Sequence, residues 1–232
     1  MLLLFDIDGT MLQRASREHA VAIHQALADV HGITAPPKVE SAGRTDGEIA
    51  RSILRACGVP DEQTTERADE FRAAACEAYA SLCPPDLSST VAPGISDLLE
   101  QLSLREEVTL ALVTGNYEPI ARLKLARAGI GEYFTECPGG FGSDSEDRDL
   151  LPAIARARAG SDRMPFPRDR TVVIGDTPRD IACARADGVR VLAVATGPFG
   201  ASDLGEADGV AADGAALTPL LLAILDGGHS AA

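Results

Sequence analysis

Leu2-Leu3-Leu4-Phe5-Asp6-Ile7-Asp8-Gly9-Thr10 begins as an unbroken apolar run and stops at two carboxylates. An apolar run without alternation fits a short strand covered on both faces, as strands of a parallel sheet are. Three later segments share the pattern. Val108–Val113 ends in Thr114-Gly115-Asn116, Thr171–Ile174 ends in Gly175-Asp176, and Val189–Ala195 ends in Thr196-Gly197. Helical patterns separate them over Ile95–Leu104, Pro119–Ala128, Asp149–Ala159 and Pro178–Ala186. Pro119 and Pro178 suit a first helical turn, and Gly129 and Gly188 suit helix ends. A weaker strand falls near Val210, and Ala215–Leu225 reads as a last helix. Alternating strands and helices predict an α/β fold with a doubly wound parallel sheet. Such sheets bind ligands beyond the carboxyl ends of their strands, where every polar cluster quoted above lies.

Residues 14–89 interrupt the alternation. Ser16–Val30, Asp46–Cys57 and Glu62–Ser81 read as amphipathic helices with no strand between them. A turn-rich stretch, Cys83-Pro84-Pro85-Asp86-Leu87-Ser88-Ser89-Thr90, follows. The expected organisation is an α/β core of residues 1–13 and 90–232, with a small all-helical domain of residues 14–89 inserted after the first strand. Gly139-Gly140-Phe141-Gly142 lacks the spacing of a phosphate loop and reads as a strand-to-loop turn lining the core.

The chain has 232 residues, 45% hydrophobic and 24% charged, which is enough to bury a sizeable core. A net charge of −14 disfavours nucleic acid as a partner. No stretch reaches the roughly 18 apolar residues of a membrane span, and the N-terminal run is too short for a signal peptide. The five cysteines are scattered without a CxxC pair, which suggests reduced structural thiols in a cytoplasmic protein. The four histidines, His19, His24, His31 and His229, show no metal spacing and are expected at the surface.

The strand ends supply the chemistry. Asp6 and Asp8 stand at i and i+2, which in an extended chain turns both to one side. Paired carboxylates beside a metal allow one to attack phosphorus while the other handles a proton. Gly9 permits a sharp turn, and Thr10 can bond that turn or a phosphate oxygen. The hydroxyl of Thr114 and the backbone N–H groups of Gly115 and Asn116 can hold a phosphoryl oxygen. Asp176 and Asp180 can both face one spot and suit Mg²⁺; they can equally serve as an N-cap and as helix-dipole compensation. The chain has 19 Arg but only two Lys, Lys38 and Lys124, and neither falls at a suitable place between the second and third strand-end motifs. Arg148 is therefore the candidate cation.

In this order the motifs resemble those of the haloacid dehalogenase (HAD) superfamily. The resemblance implies a Rossmannoid core with a helical cap and an Mg²⁺-dependent phosphatase acting on a small phosphorylated metabolite. It implies Asp6 as the nucleophile that becomes an aspartyl phosphate and Asp8 as general acid/base. Thr114 and Arg148 would orient the phosphoryl group. Asp6, the Asp8 carbonyl and Asp176 would hold the metal, with Asp180 as a further ligand or just behind. Arg148 departs from the commoner Lys. Ala42-Gly43-Arg44-Thr45-Asp46-Gly47 resembles the GRTD loop of phosphoglycolate-phosphatase-like members, where Arg44 would meet a substrate anion; Thr45 or Asp46 as an N-cap is the competing reading. A phosphomutase shares these motifs. A dehalogenase would lack Asp8 and the Asp176/Asp180 pair, and a non-enzymatic phosphate-binding module would be expected to lose one of the acids. Oligomeric state is not legible.

Overall fold

Residues 1–161 and 164–227 are described by a computed structural model of the chain. The elements are β1 (Leu2–Phe5), α1 (Arg17–His31), α2 (Asp46–Ala56), α3 (Asp61–Glu66), α4 (Ala68–Leu82), α5 (Ile95–Ser103), β2 (Thr109–Thr114) and α6 (Glu118–Arg127). There follow β3 (Gly139–Phe141), α7 (Leu151–Ala159), β4 (Thr171–Gly175), α8 (Pro178–Asp187), β5 (Arg190–Val194), β6 (Gly209–Ala211) and α9 (Gly214–Gly227).

The six strands form one parallel sheet in the order β3-β2-β1-β4-β5-β6. Side chains alternate between its faces, so a continuous apolar run serves two cores. Leu3, Phe5, Leu112, Val172, Ile174, Leu192 and Val194 pack on α5, α6 and α9 through Leu98, Leu99, Leu125, Leu217 and Leu221. Leu2, Leu4, Ala111, Val113, Val173, Val191 and Ala193 face the other way, onto Leu151 and Ala155 of α7 and Ile181 and Ala184 of α8. β1 lies between β2 and β4, with Phe5 level with both Leu112 and Ile174. Asp6, Thr114 and Asp176 therefore leave the sheet within two residues of one level. The chain passes from β1 to β2 and β3, then returns to β4 on the other side; that reversal is where an open sheet forms its crevice.

The helices between β1 and β2 have a core of their own. Ala22, Ile23, Ala26, Leu27 and Val30 follow helical spacing along α1 and meet Ile53 and Leu54 of α2 and Phe71, Ala75 and Tyr79 of α4. Tyr117 at the start of α6 and Ile120 within it close this cluster against the sheet side. Thr45 caps α2 by accepting the Glu48 N–H at 3.1 Å. Where the chain leaves and re-enters the sheet region the two crossing segments pair, with Gln13 N–H donating to Thr90 O at 2.7 Å and Ala92 N–H to Met11 O at 2.9 Å.

Two expectations change. The single helix over Glu62–Ser81 is two, because Arg67 leaves helical geometry (φ −103°, ψ 11°) between α3 and α4. Gly139–Phe141 is no turn but strand β3, buried and paired with β2. Two glycines carry no strand propensity, so the pattern of apolar side chains could not show it. Leu99 of α5 is fully buried in the core against the sheet; Leu99→Ala is expected to cost about 3 kcal/mol of stability, read as a lower urea midpoint at unchanged slope.

Candidate active site

Asp6 follows β1 and donates its N–H to Ile174 O at 2.9 Å, which ties the end of β1 to that of β4. The chain then turns through Gly9 at φ +88°, where a Cβ would lie 2.1 Å from Asp176 Oδ2. Only glycine meets both demands. The next residue, Thr10, donates its hydroxyl to Asp176 Oδ1 at 3.1 Å. Asp180 belongs to a capping box at the start of α8: Thr177 is the N-cap, and Asp180 Oδ2 accepts the Thr177 N–H at 2.9 Å and its hydroxyl at 2.8 Å. Thr177, and not Asp176, thus caps this helix.

Asp6, Asp176 and Asp180 each place an oxygen within 4.8 Å of the others, and all three are buried. Arg148 is buried among them, donating to Asp6 Oδ1 at 3.1 Å and Asp180 Oδ1 at 2.5 Å. One cation does not balance three carboxylates. Burial, then repulsion from Asp180 and Asp6, raises Asp176 to about 9 despite Thr10 and Arg148. Burial also raises Asp6 to about 7, with Arg148 opposing and Asp180 and Asp8 adding to the rise. Burial works against the charge of Arg148, but Asp180 and Asp6 outweigh it and hold the guanidinium firmly protonated. Asp176 Oδ2 is buried with no hydrogen-bond partner among the described residues. A set of hard oxygens with excess negative charge and an orphaned acceptor fits a divalent cation.

Asp8 turns elsewhere. Its Oδ2 accepts from Lys124 Nζ at 2.6 Å and Asn116 Nδ2 at 2.9 Å, and its Oδ1 accepts the Ser16 hydroxyl at 3.3 Å. Burial disfavours its charge, but Lys124 and His19, with the bonds from Lys124 and Asn116, more than offset this and hold Asp8 below the ordinary carboxylate range. The carboxylates of Asp6 and Asp8 thus both face one cavity but take different partners; the chain begins to turn at Ile7, whose carbonyl accepts the Met11 and Leu12 N–H groups.

Lys124 and His19 depart from expectation. Lys124, set aside on sequence spacing, is fully buried beside Asp8, and it also bonds Asn116 Oδ1 at 2.8 Å and His19 Nδ1 at 3.0 Å. His19, expected at the surface, is buried, with its Nε2 3.1 Å from Asp46. A signal existed. The buried positions of α6 are 120, 121, 124 and 125, and those of α1 are 19, 22, 23, 26, 27 and 30. Each polar residue occupies the apolar stripe of its helix, where an unpartnered charge is not tolerated.

The remaining candidates divide into two groups. Asp6, Asp8, Gly9, Arg44, Gly115, Asn116, Arg148 and Asp176 line one cavity of about 820 Å³ between the sheet and the helical insert. Thr10, Thr114 and Asp180 are buried but do not line it. Thr114 Oγ accepts the Asn116 N–H at 3.3 Å and so shapes the loop after β2. Arg44 reaches the cavity but is held by its own neighbours, Ser52 at 3.2 Å, Glu48 at 3.1 Å and Glu40 at 3.5 Å. The insert presses directly on the β2 loop: a Cβ on Gly115 would lie 2.2 Å from Arg44 O, and Asp46 N–H donates to Gly115 O at 2.8 Å.

The family model of haloacid dehalogenase-like hydrolases matches residues 3–185, a span running from β1 through Asp180. Over 198 residues the chain is 30% identical to a phosphoglycolate phosphatase of Pectobacterium atrosepticum, across 84% of this chain and 80% of that protein. It is also 30% identical over 204 residues to the tyrosine-protein kinase PtkA of Mycobacterium tuberculosis, across 87% of this chain and 64% of that protein. A crystal structure of a hydrolase from Pseudomonas syringae shares the fold, with a TM-score of 0.68 at 23% identity, covering 94% of this chain and 96% of the other.

The raised Asp6 and Asp176 make a signed prediction. Without metal, the folded chain holds protons on these acids more tightly than the unfolded chain does, so stability falls as pH rises from about 4 through 7 to 9. A divalent cation competes with those protons. Millimolar Mg²⁺ is therefore expected to raise the melting temperature more at pH 8.5 than at pH 6; an equal or reversed effect in thermal scans would count against the cluster as a cation site.

Proposed function

Because the chain belongs to the haloacid dehalogenase-like hydrolases, we propose that it is an Mg²⁺-dependent phosphatase that hydrolyses a small phosphomonoester through an aspartyl phosphate on Asp6. The observation that carries this reading is the disposition of Asp6. Its carboxylate lines the cavity, one oxygen is fixed by Arg148, and the other takes no hydrogen bond among the described residues. Asp180, by contrast, is saturated by Arg148 and Thr177.

Asp6 Oδ2 attacks phosphorus in line, and the bond from phosphorus to the ester oxygen breaks. The departing alcohol oxygen takes a proton from Asp8, which enters this step protonated with substrate bound although Lys124 and His19 favour its charge in the free chain. Asp8, again a carboxylate, then takes a proton from the water that opens the acyl phosphate, which releases inorganic phosphate and restores Asp6. Arg148 offsets charge on the transferring group and keeps Asp6 aimed. Thr114, Gly115 and Asn116 shape the oxyanion side, with Gly9 and Thr10 on the other. Asp6, Asp176 and the Asp8 carbonyl would hold Mg²⁺, with Asp180 securing Arg148 behind them. Bound there, Mg²⁺ supplies positive charge to the acid cluster and to the phosphoryl oxygens.

Residues 14–89 act as a cap that closes over the cavity on the paired segments around residues 12 and 90. The similarity to phosphoglycolate phosphatases makes phosphoglycolate the first substrate to try, and sugar phosphates the next. A phosphomutase uses the same core; transfer of phosphate to a second hydroxyl of a sugar phosphate would reveal it. Among the described residues no helix is long and apolar enough to cross a membrane.

A phosphoester panel with Mg²⁺ tests the reading. Asp6→Asn is expected to lose roughly 10⁴-fold in turnover and EDTA to abolish it. Activity retained in either case sinks the mechanism. Asp176→Asn should lose activity together with the Mg²⁺ dependence of melting.

A further inference from the structure

We propose that the phosphate ester taken by this cavity has a long apolar alcohol portion, that this portion lies in a cleft between α1 and α2, and that Ala20, Ile23, Ile49 and Ile53 select it. The proposal rests on the reading of the cavity floor as a phosphomonoester site and names the class of its substrate.

Both helices start at that floor. Ser16, just before α1, donates its hydroxyl to Asp8 at 3.3 Å, and Asp46, the first residue of α2, accepts the Tyr117 N–H at 2.7 Å. From there the cavity is lined by positions 16, 19, 20, 23 and 24 on one side and 46, 49 and 53 on the other. Those spacings trace one face of each helix. At 1.5 Å per residue the lined stretches run about 12 Å and about 10 Å away from the floor. His19 and Asp46 bond each other near its start, so the surface beyond them is that of Ala20, Ile23, Ile49 and Ile53, with His24 at the far end. A third side is the segment joining the helices, where Pro36, Pro37 and Val39 line the cavity. Two adjacent prolines restrict its backbone. Gly43 pins its end to the core: at φ +68° it lies so close to Thr177 that a Cβ would be 2.5 Å from the hydroxyl.

The charges leave this part of the wall to hydrocarbon. Among the described residues, the carboxylates that line the cavity are Asp6, Asp8 and Asp176 of the floor and Asp46, which is taken up by His19 and Tyr117. Arg44 is held by Glu40 and Glu48, so a short acid such as phosphoglycolate finds no free partner in it. Arg14 and Lys38 also line the cavity, but both are exposed and stay hydrated without a ligand. The cavity volume of about 820 Å³ exceeds what a two-carbon acid fills and falls in the range, roughly 300–1,000 Å³, of sites that enclose much larger ligands. Water against an apolar wall lacks hydrogen-bond partners there, and hydrocarbon displaces it favourably.

A series of n-alkyl phosphates from ethyl to octyl, kept below micelle-forming concentrations and assayed with Mg²⁺ beside phosphoglycolate, tests the proposal. Ala20 and Pro37 are exposed, so part of a bound chain stays in water. The ratio kcat/KM is therefore expected to rise about twofold per methylene, less than complete burial gives, and about 50-fold over the series. Ala20→Phe, at an exposed position of α1, fills the cleft and should cut the octyl-to-ethyl ratio below about fivefold; Ile49→Asn should lower it likewise by making the wall polar. A merely structural defect lowers every ester by one factor and leaves that ratio at its wild-type value. Such a result in whichever of the two variants folds overturns the proposal, as does a flat series or a preference for phosphoglycolate over octyl phosphate in the wild-type chain. Binding separates this inference from the reading beneath it. Octylphosphonate, which cannot be hydrolysed, is expected to bind about 50-fold more tightly than ethylphosphonate in calorimetry, and Ala20→Phe to erase the difference. If that holds while no ester is turned over, the phosphatase assignment fails and the cleft stands. If esters are turned over without regard to length and the phosphonates bind alike, the cleft fails and the assignment stands.

Discussion

Three buried carboxylates and one buried guanidinium set the terms for the rest of this molecule. Burial, added to by the mutual repulsion of three acids around one guanidinium, raises Asp6 and Asp176, and one Asp176 oxygen is left without a hydrogen-bond partner among the described residues. The fold makes the crowding possible. Central strands end level with one another, a glycine turn brings the first loop against Asp176, and a capping box fixes Asp180 before Arg148 reaches it. Each device is local, and together they bring the three acids to one point.

The sheet and its site were largely legible because their signals are one-dimensional. β1, β2, β4 and β5 are apolar runs that end in polar residues; Asp6 and Asp176 sit at two of those ends, Asp180 falls in the first turn of the helix after β4, and Arg148 stands just before α7. What escaped reading was encoded across the chain. β3 has two glycines among its three residues, and its strand character comes only from pairing with β2. Lys124 was discounted for its place between motifs, although its place on the apolar stripe of α6 held the information. His19 was discounted for lacking metal spacing, although its partners are a lysine 105 residues away and an aspartate 27 away. Arg44 was legible as a cavity residue but not as one tied up by Glu40, Glu48 and Ser52.

The relatives carry different names on a common core: phosphoglycolate phosphatase in one case, a tyrosine-protein kinase in another. Physical chemistry makes that unsurprising. In the function proposed above, the acid cluster would handle phosphorus, and the cavity wall contributed by the insert would meet whatever is attached to it. In this chain the two are not independent, since Gly115 touches the insert backbone and Lys124 touches both Asp8 and His19.

The exit and return of the chain around the insert lie side by side, joined by Gln13 to Thr90 and Ala92 to Met11. The sheet therefore sees the excursion as though it were a tight hairpin, whatever its contour length. Loop closure has been settled at the base, so adding or deleting helices further out changes little of the entropy of folding the sheet. A scaffold with such a pinned neck can exchange its roof over generations while the catalytic floor stays in register, and the narrow doorway is what makes that modularity cheap.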